Sequence, residues 1–97
     1  MEISSKDKYK LRSLAHSLKP SVLIGKEGAS INSINSINKA LDSNELIKIK
    51  FNSFKNEKKT ISKIIERSCN AIIIGIKGNI VIFYKKNQDI EKRKYIQ

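Results

Sequence analysis

The sequence predicts a two-layer α/β domain with the order α-β-α-β-α-β-β and a four-stranded mixed sheet. Three observations predict it. Apolar residues recur at helical spacing in three segments. They alternate, or run together over strand-like lengths, in four others. Turn-forming residues stand at the borders: Pro20, the glycine pair at 25 and 28, and Gly78-Asn79. With 97 residues the chain has room for one domain and one modest core.

The first helix starts from a cap at Ser4 or Ser5 and runs to about Leu18, with Leu11, Leu14, Ala15 and Leu18 as its apolar stripe. Pro20 stops it, because proline has no amide hydrogen and disfavours helical geometry at Lys19. Ser21 to Ile24 is a short strand that runs into Gly25-Lys26-Glu27-Gly28. Ser30 caps a second helix, to about Ser43, with Ile31, Ile34, Ile37 and Leu41 on one arc. Glu45 to Asn52 alternates. Ile47, Ile49 and Phe51 face inward, and Lys48, Lys50 and Asn52 form a basic open face. A third helix begins at Asn56 or Glu57, with Ile61, Ile64, Ile65 and Ser68 inward and Lys59, Lys63 and Arg67 outward. Ala71 to Lys77 and Ile80 to Lys85 make a hairpin around Gly78-Asn79, both of which tolerate positive φ. The domain is expected to span 1–86. Residues 87–97 mix charges without an apolar stripe and are expected to form a flexible basic tail.

Charge narrows the function. Twenty Lys and Arg against nine Asp and Glu give a formal net charge of +11. A globular domain so basic repels itself, and polyanions are the first partner to consider, because lysines release counterions from phosphates. A membrane partner, a small-molecule substrate and a cofactor are not expected. A lone cysteine, Cys69, forms no internal disulfide and fits a reducing compartment. With no signal-peptide-like or membrane-spanning run, the expected location is the cytoplasm.

Gly25-Lys26-Glu27-Gly28 lies between a strand and a helix start. The glycines admit conformations that side chains forbid and let another backbone come close. The helix behind the loop presents free amides and the positive end of its dipole, and Lys26 adds a cation. Such a loop can hold a phosphodiester backbone, as the Gly-x-x-Gly loop of KH domains does. Gly75-Ile76-Lys77-Gly78 repeats the spacing, but it sits in a hairpin with no helix behind it and reads as structural. A P-loop would need Gly-Lys-Ser/Thr, and here Ala29-Ser30 comes after Gly28. A Rossmann fingerprint would need a third glycine and a downstream acid in register.

Four segments together resemble the bacterial YhbY-type proteins, whose fold recurs in plants as the CRM domain (chloroplast RNA splicing and ribosome maturation). They are Leu11-Arg12-Ser13-Leu14-Ala15-His16-Ser17-Leu18-Lys19-Pro20, Val22-Leu23-Ile24-Gly25-Lys26-Glu27-Gly28, Glu45-Leu46-Ile47-Lys48-Ile49-Lys50 and Gly78-Asn79-Ile80-Val81-Ile82-Phe83-Tyr84-Lys85. The resemblance implies a four-stranded sheet packed with helices, akin to the C-terminal domain of translation initiation factor three. It also implies binding to ribosomal RNA in large-subunit precursors, as an assembly factor. By position, the family's loop carries over to Gly25, Lys26, Glu27 and Gly28, and its basic surface to Lys19, Lys48 and Lys50. Lys6, Lys10 and Arg12 of the first helix complete the expected RNA contacts. Two departures stand out: Glu27 puts an acid in the loop, and Lys85 replaces the usual arginine after the tyrosine, which loses a bidentate fork.

The other reactive residues read as structural. His16 has no second histidine or cysteine pair for a zinc site. Cys69 reads as a buried small hydrophobe, and Asp42, Glu45, Glu57 and Glu66 as caps and surface ion pairs. Tyr84 reads as sheet packing, whereas Tyr9 lies off the helix stripe. No nucleophile–base pair suggests an enzyme. The expectation is a monomeric RNA-binding protein that recognises RNA shape. A ribosome-associated protein-interaction module with incidental RNA contact is the alternative.

Overall fold

Why the chain folds as it does is clearest in the sheet, seen in a computed structural model that describes residues 3–96. Met1, Glu2 and Gln97, the ends of the expected domain and tail, lie outside the described residues. The strands are β1 (Val22–Ile24), β2 (Leu46–Phe51), β3 (Ile72–Lys77) and β4 (Ile80–Tyr84), in the order β1-β2-β4-β3. The helices are α1 (Ser5–Ala15), α2 (Ile31–Asn44) and α3 (Lys58–Cys69). β1 pairs parallel with β2, and β2–β4 and β4–β3 are antiparallel. The expected element order and mixed sheet are both present.

Strand alternation sorts the core onto two faces. Ile47, Ile49 and Phe51 of β2 and Val81 and Phe83 of β4 pack with Ile24, Ile37, Leu41 and Ile65 beneath α2 and α3. These two helices make one layer against the sheet. The intervening residues Leu46, Ile82 and Tyr84 meet Leu11 and Ala15, so α1 lies on the opposite face and covers one end of it. Each such side chain, wholly removed from water, contributes about 1.5–3 kcal/mol of transfer free energy.

Caps and turns obey local chemistry. Ser4 and Ser30 accept the amides of Asp7 and Ser33, as N-caps do. α1 ends at Ala15 rather than near Leu18. Its contact stripe narrows to Leu11 and Ala15, one turn apart, which leaves Leu14 40% exposed. Ile31 is 80% exposed because, as the first residue of α2, it extends beyond the sheet layer. On α3 the buried line is Ser62, Ile65 and Cys69. Ile64 lies about 100° round the helix from Ile65 and is half-exposed, and Ser68 is exposed. A single 3-10 turn at Lys55–Glu57 precedes α3. In the hairpin only Gly78 takes positive φ, +59°.

Glu45 departs furthest from its reading as a surface carboxylate. It is 1% exposed and has φ +64°. Its carboxylate accepts the amides of Asn87 at 2.7 Å and Lys94 at 2.6 Å, and its carbonyl accepts the Lys85 amide. A buried carboxylate requires such partners. They hold the segment read as a loose tail: Arg93 closes onto the Asn87 carbonyl, and Tyr95 and Ile96 pack with Leu11 and Tyr84. Tyr84 is wholly buried. Burial, and then the Glu45 carboxylate, push its phenol up to about 12, with Arg93 opposing. Burial also raises the Cys69 thiol, against the pull of Lys85, so it stays protonated and inert at neutral pH.

Candidate nucleic-acid interface

The Gly25–Gly28 segment is a tight turn closed by the Gly28 amide donating to the Gly25 carbonyl at 3.1 Å. Lys26 and Glu27 stand exposed at its tip. Its base is pinned because the amides of Asn52 and Ser53 both donate to the Ile24 carbonyl, at 2.9 and 3.2 Å. This ties the turn to the segment just after β2. The two glycines serve different ends. Gly28 has φ +63° and is buried, and a Cβ there would lie 3.3 Å from the Phe54 ring. Gly25 has nothing within 4 Å of where its Cβ would be. One glycine closes the turn onto Phe54, and the other leaves its outer side open to a second backbone. Ile31 and Asn32 then present first-turn amides, which have no helical carbonyl to bond.

The basic residues do not form one cluster. Lys50 is exposed on the strand beside the loop, opposite Leu23 in the β1–β2 register, and Lys19 is exposed ahead of β1, near where the Ser21 amide meets the Lys48 carbonyl. Arg12 lies over β3. Its stem rests on Gly75, where a Cβ would come 3.0 Å from Cδ, and its Nη1 reaches the Ile74 carbonyl at 3.5 Å. Lys48 is tied into the fold. It is half-buried, and its Nζ donates to the carbonyls of Leu18 at 2.9 Å and His16 at 3.2 Å. It therefore closes the carbonyl end of α1, the role a cation fills at a helix C-terminus. Lys6 lies in the first turn of α1 and Lys10 at its middle, where the Lys10 Nζ donates to the Tyr95 carbonyl of the tail at 3.4 Å. The structure thus brings Gly25, Lys26, Glu27, Gly28 and Lys50 to one end of the β1–β2 pair, whereas Lys19 lies at the other end of β1 and Arg12 over the opposite edge strand. Lys6 and Lys10 stand apart.

Two residues escaped sequence reading, Phe54 against the loop and Lys77 on the far edge strand. Phe54 has φ +56° and packs its ring under Gly28, a contact no local pattern announces. Lys77 pairs with Ile80, which pairs with Lys50, so it shares the sheet face of Lys50. Strand alternation carried across the hairpin could have located it. The groove bounded by Leu41, Asp42 and residues 85–88 holds the Lys85–Asp42 ion pair at 3.4 Å. Among the described residues no group of three or more His, Cys, Asp or Glu could hold a metal ion. No helix of the described residues is long and apolar enough to cross a membrane.

Comparison with known proteins identifies the family. The chain is 30% identical over 88 residues to probable RNA-binding protein YqeI of Bacillus subtilis (strain 168), covering 90% of this chain and 92% of that one. It is 33% identical over 88 residues to an RNA-binding protein of Haemophilus influenzae, covering 90% and 89%. The solution structure of hypothetical protein SAV1595 from Staphylococcus aureus superposes with a TM-score of 0.80 at 28% identity, covering 98% of this chain and all of that one. The family model of the CRS1 / YhbY (CRM) domain matches residues 3–85, and the chain belongs to that family.

Proposed function

We propose that this protein binds structured RNA, with the Gly25–Gly28 turn set against a sugar–phosphate backbone, Lys26 at its tip, Lys50 on the adjoining strand, and Lys19 and Arg12 as more distant contacts. The observation that carries the reading is the open side of Gly25, on a turn that Gly28 and Phe54 hold in shape, ahead of the α2 amides. Relatives named as RNA-binding proteins support it. The RNA we assign is ribosomal RNA of large-subunit precursors, with the protein acting in the cytoplasm as a monomeric, non-enzymatic assembly factor. The resemblance of four segments of the chain to the YhbY-type proteins supports that assignment.

The mechanism is electrostatic and geometric. Lysines steer the domain to the polyanion, and the turn then fits the backbone through amides and Lys26. Glu27 opposes phosphate at the tip, so contact falls on the Gly25 side. Lys26→Glu with Lys50→Glu should lower affinity for a structured rRNA fragment and flatten its salt dependence while the fold is retained. Lys48→Glu is a poor probe, because it also uncaps α1. Unchanged binding by the double variant would remove this face from the interface. Crosslinking in cells, with sequencing of the attached RNA, tests the target: enrichment of precursor large-subunit rRNA supports it, and its absence refutes it. A protein-interaction module would instead bind with little response to ionic strength.

A further inference from the structure

Beyond the turn, the sheet leaves one stretch uncovered. α1 stops at Ala15, over the end of the sheet that carries Leu46 and Tyr84. Past it, the pairings Leu23↔Lys50, Lys50↔Ile80 and Ile80↔Lys77 set four residues in one row across all four strands. All four point to the face that α1 occupies further along, because their strand neighbours Ile24, Ile49 and Val81 are in the opposite core. Leu23 is 55% exposed, Lys50 and Lys77 are exposed, and Ile80 is half-exposed. The row therefore alternates apolar and cationic side chains and contains no acid. Its β1 end adjoins Gly25. Arg12, over Gly75, flanks its β3 end two residues from Lys77.

From this juxtaposition we infer that the row Leu23–Lys50–Ile80–Lys77 is a platform for a single-stranded RNA segment continuing from the one held at the turn. Strands lie about 4.8 Å apart, so the two ammonium groups start about 10 Å apart, with an apolar side chain between them. A duplex offers phosphates but hides its base faces. Exposed leucine and isoleucine between lysines gain contact only from unstacked bases. Charge complementarity and continuity with the turn favour RNA as the occupant over an apolar protein segment. This inference rests on the proposed RNA-binding function and refines it: the turn takes structured RNA, and the row takes its single-stranded flank.

The test uses the full chain and two RNAs, a blunt hairpin and the same hairpin with a single-stranded extension. Lys77→Gln should weaken binding of the extended RNA by about three- to tenfold and reduce its salt slope by about 0.7. It should leave the blunt hairpin unaffected. Leu23→Ser should weaken the extended RNA by a similar factor with the salt slope unchanged. Both sites are exposed, and thermal melting confirms that each variant is folded. Equal losses on the two RNAs, or no loss on the extended one, overturn the platform. Lys26→Glu separates the two readings: it should weaken both RNAs, whereas failure of the wild-type chain to bind either RNA overturns the function and the platform together.

Discussion

Two segments of this protein share a Gly-x-x-Gly spacing and use it in opposite ways. In Gly25–Gly28 the last glycine is the crowded one, closed against Phe54, and the first faces open space. In Gly75–Gly78 the first glycine lies under the Arg12 stem and the last faces open space. Both end on a positive φ, +63° at Gly28 and +59° at Gly78, so the backbone demand on the last position is the same. The next elements of the chain differ. A helix N-terminus lies after Gly28, and an antiparallel strand after Gly78. Spacing therefore specifies a reversal of the chain. Whether that reversal can receive a ligand depends on which glycine is left open and on the dipoles behind it.

Four substitutions to alanine would break or sharpen this contrast. Gly28→Ala should be the most damaging. Left-handed backbone costs a residue with a Cβ about 1–2 kcal/mol, and the Phe54 contact adds to that, so urea denaturation should show a loss of about 2–3 kcal/mol. Gly25→Ala should leave the melting curve unchanged but weaken RNA binding about tenfold, or 1.4 kcal/mol, in a titration, because the methyl occupies the side left open to the backbone. Gly78→Ala should cost about 1 kcal/mol of stability from its φ alone, and Gly78→Asn should recover much of it, since asparagine tolerates that region. Gly75→Ala should change stability by less than about 0.5 kcal/mol, because the flexible Arg12 stem can yield and alanine lowers the entropy of the unfolded chain. If Gly75→Ala proved as costly as Gly28→Ala, the distinction between a rigid ring and a yielding stem would fail.

Local patterns explain why so much was legible. The serine caps at Ser4 and Ser30, the β2 alternation and the hairpin pair are short-range signals, and each appears where the sequence puts it. Amphipathic stripes were read too widely, at Leu14, Ile31 and Ile64, because periodicity gives an arc but not where the neighbouring layer ends. Lys48 reads as an open-face lysine from its strand parity. Only the approach of the α1 end turns it onto two carbonyls.

By itself the sequence determined the element order, the turn at Gly25–Gly28, its place before a helix and the excess of positive charge. These are encoded in neighbouring residues and in composition. The tertiary structure decided which glycine is open, which lysines stand beside the loop, that α1 covers only one end of its sheet face, and that Glu45 fastens the tail. Each of these depends on contacts between residues far apart in the chain, and no local pattern carries the long-range packing that selects them.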